Sequence, residues 1–377
     1  MGQFELTPEQ QQMRALAREV SEEFRDRSTT WETSGEFPWQ NMSRLAETGL
    51  LGASVPEQYG GGGGTWLDAA LILEEIGRCC YVTAMAALGE LGVQTRVIAA
   101  YGSESVRERH LPEVARGEAI CAICITEPDT GSDLKAMRTT ARDDGDHVIV
   151  SGHKTLISRA DVAAVFVVFC KIKGASGADE VGAVVVGRDT PGLSVGQTFQ
   201  TLGGDTLHEV SFDECRVPAD HVLARDDGLR RMLSMFNGQR CLNASVSLGI
   251  AQGAQDLAVD QAKNRRQGGR PIGEHQGLGW LLADNEVAIE AARLLIWRAT
   301  AKAGQGFPER HEASMAKLFA NEMALRVTDT ALQVFGGHGW TKEMPVERYL
   351  RWARYGPLGG GTPQIQRNGI ARHLLRA

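Results

Sequence analysis

The sequence predicts an α+β multidomain protein in three consecutive parts: a helical segment over 1–117, a β-rich segment over 118–225 and a second helical segment over 226–377. Three observations carry this. Apolar residues recur at helical spacing up to about residue 115. Short β-branched runs separated by turn clusters follow. Helical spacing then returns from Gly228 onward. That order of layers narrows the fold class without giving the chemistry.

The first part opens at Thr7-Pro8-Glu9, with proline at the first helical position and acids in the first turn. Met13, Leu16, Ala17, Val20 and Phe24 then share one helical face. A loop, VPEQYGGGGGT, follows Leu50-Leu51, and two further helices are expected over 66–78 and 84–100. The five glycines Gly60, Gly61, Gly62, Gly63 and Gly64 suggest a phosphate cradle. No Gly-Lys-Ser/Thr follows them, so a permissive turn is the simpler reading. In the second part, strands are expected at 148–150, 164–169, 181–186, 193–195 and 210–212, split by turn clusters at 143–146 and 190–192. This reads as a small antiparallel sheet ending near Val217-Pro218. In the third part, 234–261, 276–303 and 308–335 each read as a long helix rich in Ala, Leu and Met.

Composition removes several functions. The chain has 377 residues, 47 acidic and 40 basic, for a net charge of −7, with 42% apolar residues and 44 glycines. That apolar fraction supports real cores and excludes global disorder. Mild acidity with scattered bases does not suit nucleic acid. The longest apolar run, 162–170, falls far short of the ~20 residues a membrane helix needs. No secretory signal is visible, and the myristoylation motif at Gly2 fails because Leu6 stands where Ser or Thr is required. The seven cysteines show no framework spacing. Cys121 and Cys124 form a lone C-x-x-C without nearby histidines, so buried free thiols in a reducing cytoplasm are expected.

Chemistry-bearing segments stand at fixed intervals. ICITEPDTGSD (123–133) suggests a strand entering a Gly-Ser turn whose N–H groups and hydroxyl suit a phosphate. FNGQR (236–240) reads as a helix start. NRRQGGRPIGEHQ (264–276), FGGHGW (335–340) and GGGTPQIQRNGIAR (359–372) follow. In this order, together with YGSESVRERHLPEVARGE, SGHKTLIS and RVPADHVL, they resemble the acyl-CoA dehydrogenase family of flavoproteins over nearly the whole chain.

The resemblance implies a helical N-terminal domain, a middle antiparallel β-barrel-like domain and a C-terminal four-helix bundle. It implies FAD lying extended at a subunit interface of a homo-oligomer, a tetramer or dimer, and an acyl thioester on CoA or acyl carrier protein threading between helices towards the flavin. An electron-transfer flavoprotein is an implied partner; nucleic acid and membrane are not. Ile125 and Thr126 match the segment facing the flavin ring, Ser132 the pyrophosphate serine, and Ser158 a hydroxyl beside flavin N5. Arg265 matches an arginine that reaches the neighbouring subunit's FAD. Gln276, Gln333, Gly336 and Gly337 match segments around adenine and pyrophosphate. Thr362 and Gln364 match residues at the ribityl and pyrophosphate region. Two positions depart: the aromatic that packs on the flavin is Leu156, and the Phe following Arg-x-x is Gly268. Each forfeits a stacking contact of about 0.5–1.5 kcal/mol. Phe236 and Asn237 match residues bonding the pantetheine, and Arg240 matches an arginine read as anchoring its helix. Arg230-Arg231 offers two cations to a CoA phosphate or an acidic carrier, although a solvated helix face is the simpler use.

The resemblance also exposes a gap. In most members a catalytic Glu precedes the Gly-Thr of E-G-T-x-Q-I; here that position is Gly360. A minority place it before the arginine of an E-R pair; here that is Gln239. A positioned base is worth about 10²–10⁴-fold, and neither an amide nor a bare Cα replaces it. Four readings follow: a relocated base, with Tyr355, His338 and Glu274 as candidates; a desulfinase-like reaction, which the Gln239–Gly360 pair resembles but Met85 in place of an arginine opposes; an oxygen-using or carrier-protein-linked flavoenzyme; and a non-catalytic partner subunit.

Overall fold

The computed structural model describes residues 5–174, 177 and 179–375. Gly2 lies outside the described residues. The first helix, α1 (Pro8–Arg25), begins on a full capping box: Thr7 Oγ1 accepts the Gln10 N–H, and Gln10 Oε1 accepts the Thr7 N–H. Ala17, Val20 and Phe24 are buried as expected, but Leu16 is 37% exposed. The buried stripe is centred on Ala17, Val20, Ser21 and Phe24, which leaves Leu16 at its margin.

After α2 (Ser28–Ser34) and α3 (Trp39–Glu47) come α4 (Trp66–Cys79), α5 (Tyr81–Glu90), α6 (Val93–Tyr101) and α7 (Glu104–Ala115). The single helix expected over 84–100 is therefore two. Gly92 interrupts it, with a non-helical backbone (φ −109°, ψ −142°) just before α6.

The β-rich part holds β1 (Cys121–Cys124), β2 (Thr140–Asp144), β3 (His147–Ser158), β4 (Val165–Lys173), β5 (Asp179–Gly187), β6 (Leu193–Gln200), β7 (Thr206–Pro218) and β8 (Val222–Ala224). They form one eight-stranded sheet in the order β6-β7-β3-β2-β4-β5-β8, with β1 also on β4. Most ladders are antiparallel, as expected, but β1 and β2 each run parallel to β4. Alternating hydrophobicity reveals which face a side chain takes and not strand direction, so these two ladders were not visible in the sequence. Val148, Val150, Ile157, Phe166, Val184 and Phe212 lie in the sheet's core.

The third part contains α8 (Gly228–Asn264), a two-stranded ribbon of β9 (Arg266–Gln267) and β10 (Arg270–Pro271), α9 (Gln276–Ala303), α10 (Arg310–Phe335), α11 (Val346–Ala353) and α12 (Pro363–Leu375). Helix α8 starts earlier than expected. The segment 236–240 lies inside it, because Met232 and Met235 extend its buried face backwards. Helix α10 packs on α9, α11 and α12.

The chain clusters into two compact units. One combines the stretch ending at Ser28 with Trp66–Ala84 and everything from Asn237 on; the other combines Thr29–Thr65 with Met85–Phe236. In the first unit, α4 is tied to α1 and α9 by buried ion pairs. Glu74 meets Arg14 at 2.9 Å and Arg293 at 3.0 Å, and Glu75 meets Arg14 at 2.8 Å. Gly238 on α8 lies flat against the Trp66 ring, where a Cβ would collide with it.

Candidate functional site

The sheet unit carries one half of the expected cofactor site. Ile125 and Thr126 follow β1, and the chain then turns through a bridge between Glu127 and Thr130. A buried clamp holds this turn. Lys154 Nζ donates to Ile125 O at 3.1 Å and to Glu127 Oε1 at 2.9 Å. Glu127 also accepts the Arg138 N–H, the Thr139 N–H and the Thr139 hydroxyl. Burial disfavours its charge, but these donors win and hold its pKa at about 2. Lys154 has its own pKa lowered, chiefly by burial, with Glu127 opposing.

The Thr155 N–H donates to Thr126 O at 2.9 Å, which ties the turn to β3. Ser158 ends that strand, half-buried. Ser132 is exposed beside Gly131, which has open space where a Cβ would go. Leu156 and Arg159 flank Ile157-Ser158 with φ of +57° and +64°. Non-glycine residues held there mark a constrained segment. Leu156 is 50% exposed, an apolar surface at the position the resemblance assigns to flavin packing.

Behind this edge, Arg159 Nη1 donates to Ala86 O at 2.7 Å and lies 3.4 Å from Glu90 Oε1. The guanidinium occupies the space of a side chain at Gly89. Glu90 is fully buried, and its pKa is pushed up to about 7 by burial, with Arg159 opposing. Met85 is buried on α5. Phe236 packs edge-on to Phe169, ring centres 6.0 Å apart.

Two suggestive motifs resolve without chemistry. The N–H groups of Gly61, Gly62, Gly63 and Gly64 donate to the carbonyls of Pro56, Gly52, Val55 and Ala53. That glycine run folds on itself as a turn and presents no phosphate cradle. Cys121 and Cys124 are buried free thiols, and their pKa values are raised by burial. Among the described residues, no group of His, Cys, Asp or Glu could hold a metal ion. Arg230 pairs with Asp227 at 2.7 Å and Arg231 stacks on Tyr101 at 5.7 Å, both exposed. They form a solvated helix face.

The helical unit carries the other expected cofactor residues. Arg265 follows α8, Gln276 begins α9, Gln333 lies in the last turn of α10, and all three are exposed. Gly336 (φ +60°) and Gly337 follow, with nothing within 4 Å of a Cβ built on either. Thr362 precedes α12, and exposed Gln364 lies in its first turn. Gly268 is likewise open, with φ +59°. Open glycine backbone and exposed hydroxyl and amide groups fit FAD phosphates and ribityl oxygens.

Within the same unit, Asn237 Oδ1 accepts from Arg240 Nη1 at 2.6 Å, both side chains buried. Burial lowers the Arg240 pKa to about 10, with Arg310 adding repulsion. Gln239 is half-buried beside them on α8. The segment from Gly356 to Gly361 runs from Tyr355 into α12 and carries Gly360 with φ +70°. A Cβ built on Gly360 has one atom within 4 Å, Lys317 Cε at 3.5 Å. No atom of Gln239, Tyr355, His338 or Glu274 lies within 4 Å of that Cβ. Tyr355 lies against Gly359, whereas His338 and Glu274 sit exposed in turns.

Lys317 was not singled out from the sequence. It is 1% exposed on α10, and its Nζ donates to Gly356 O at 2.9 Å and to Gly361 O at 3.0 Å. Asn321 donates to the first of these carbonyls and Gln366 to the second. Burial lowers the Lys317 pKa to about 7, with Arg240 contributing. A signal existed: Lys317 occupies the same helical face as Ala313, Ala320 and Ala324, the apolar stripe of α10.

Comparisons with known proteins cover the whole length. Family models for the N-terminal, middle and C-terminal domains of acyl-CoA dehydrogenase match residues 7–118, 122–215 and 226–375. A 3-sulfinopropanoyl-CoA desulfinase from Paraburkholderia xenovorans is 38% identical, covering 99% of this chain and 97% of that protein. The structure of butyryl-CoA dehydrogenase from Megasphaera elsdenii is similar with a TM-score of 0.94 at 30% identity, covering 99% and 100% of the two chains. A chain from a structure of the electron transferring flavoprotein of Acidaminococcus fermentans is similar with a TM-score of 0.93 at 32% identity, covering 99% and 100%.

Proposed function

The chain belongs to the acyl-CoA dehydrogenase family, and on that premise we propose that its reaction is not plain α,β-dehydrogenation of a straight-chain acyl thioester. It is an acyl-CoA dehydrogenase-like flavoenzyme acting on a CH–CH bond, with FAD as its cofactor. FAD, when bound, supplies hydride acceptance opposite the acyl β-carbon.

The observation that carries the proposal is Gly360. Where the resemblance calls for a carboxylate at the substrate α-carbon, the chain offers a bare Cα facing the stem of Lys317. The remaining assignments favour a working flavin site. Ser132 and Ser158 would donate to the pyrophosphate and to N5. Arg265, Gln276, Gln333, Gly336, Gly337, Thr362 and Gln364 would hold the phosphates, ribityl chain and adenine. Phe236 and Asn237 would meet the pantetheine, with Arg240 fixing Asn237. We assign the domains as 1–117, 118–225 and 226–377, and the working form as a cytoplasmic homo-oligomer, a tetramer or dimer. The electron-transferring flavoprotein similarity makes such a protein the electron partner to test.

A desulfinase-like reaction is the second reading, favoured by the similarity to a 3-sulfinopropanoyl-CoA desulfinase together with Gly360 and Gln239. Met85 on α5 counts against the same sulfinate contact. The test is purification. A yellow protein with FAD bound and slow turnover of butyryl- and octanoyl-CoA with an electron dye supports the proposal. Robust turnover sinks it, and a colourless protein that needs a co-expressed subunit points to the non-catalytic reading.

A further inference from the structure

Lys317 and Arg240 are two buried cations with an unusual set of neighbours. The Lys317 ammonium has three N–H donors, and its acceptors are two backbone carbonyls, Gly356 O at 2.9 Å and Gly361 O at 3.0 Å. Arg240 is 7% exposed, gives one guanidinium nitrogen to Asn237 Oδ1, and has a buried Nε without an acceptor. The charged group acting on Lys317 from α8 is Arg240 itself, and the one acting on Arg240 from α10 is Arg310. The Cys241 thiol beside Arg240 acts in the opposite sense, but burial pushes its pKa up to about 12 and leaves it uncharged near neutral pH, so the charges are positive.

Buried cations of this kind are costly without a counter-charge. In this geometry a carboxylate at position 360 would supply one, because the Cβ direction there leads to Lys317 Cε at 3.5 Å. The chain has glycine instead. Burial and Arg240 together respond by pushing the Lys317 pKa down to about 7.

We propose that the substrate brings the missing negative charge: its acyl group carries an oxyanion, a carboxylate or sulfinate, that enters beside Gly360 and is held by Lys317 and Arg240. This rests on the acyl-thioester reading above. It goes beyond it by naming the acyl class and two recognition residues. One consequence follows directly. An anion beside Lys317 favours its charged form, so binding above neutral pH takes up about one proton per site.

The experiment titrates the FAD-loaded protein with malonyl-CoA, succinyl-CoA and butyryl-CoA, following flavin absorbance for affinity and calorimetry in two buffers for proton uptake. At least one oxyanion thioester is expected to bind about tenfold or more tighter than butyryl-CoA, with proton uptake that butyryl-CoA lacks. Lys317→Met should abolish both differences. Gly360→Glu, which supplies the carboxylate from the protein, should reverse the preference even if Lys317→Met fails to fold. Equal affinities, or preference without proton uptake, overturn the anion site while leaving the acyl-thioester reading intact. No spectral response to any of the three thioesters removes both.

Discussion

Replacing Gly360 by glutamate tests the vacancy at its centre. Position 360 has φ +70°, a left-handed backbone that costs a residue with a Cβ about 1–2 kcal/mol. Space is available, since the nearest atom to a Cβ is the flexible Lys317 stem at 3.5 Å. Gly360→Ala therefore isolates the backbone cost and should destabilise by about 1–2 kcal/mol with FAD retained. Gly360→Glu bears the same cost but places a carboxylate beside Lys317, so it should be the more stable of the two. A positioned base is worth about 10²–10⁴-fold, or about 2.7–5.5 kcal/mol of barrier. The assay is anaerobic stopped-flow reduction of the flavin by butyryl-CoA, with dye-coupled turnover alongside. Gly360→Glu should raise the rate into that range above wild type, and Gly360→Ala should not. If both variants keep FAD and react alike, the missing carboxylate is not what limits dehydrogenation.

Other expectations concern the frame around the site. Lys154→Met strands the Glu127 carboxylate in a buried clamp, so it should destabilise by about 3–5 kcal/mol and loosen FAD, measured by denaturant titration and flavin retention. Gly238→Ala drives a Cβ into the Trp66 ring and should cost about 1–3 kcal/mol by overpacking, seen as a lower thermal midpoint. Glu90 has a folded pKa raised to about 7 from 4.5. Its contribution is full below the unfolded value and is lost as pH rises through about 7, because the folded state binds the extra proton in that window. Glu90→Gln should flatten the fall in stability over that window in chemical denaturation at a series of pH values; an unchanged profile would show that Glu90 does not titrate there.

The long helices α8, α9 and α10 were legible because their apolar residues repeat with the helical period over many turns, which also fixed which faces are buried. Helix ends were less legible: α8 begins at Gly228, upstream of the 236–240 segment, and Gly92 divides the continuous helical pattern of 84–100. The parallel ladders of β1 and β2 on β4 arise from tertiary pairing that period-two patterning does not encode. At the site, the residues assigned to the flavin and the glycine at position 360 come from the resemblance, and the structure adds their exposure and the open backbone at 360. Lys317 was not legible, because charge is normally assigned to the surface, and its burial depends on the carbonyls of Gly356 and Gly361 folding back across α10. The positive φ of Leu156 and Arg159 likewise has no signature in those residue types.

The central claim is that this flavoenzyme cannot abstract the α-proton of a simple saturated acyl thioester. Mixing the yellow, FAD-loaded protein anaerobically with excess butyryl-CoA tests it most directly. The flavin should bind the thioester yet stay oxidised over many seconds; complete bleaching at the about 1–10³ s⁻¹ usual for enzyme turnover would contradict the claim.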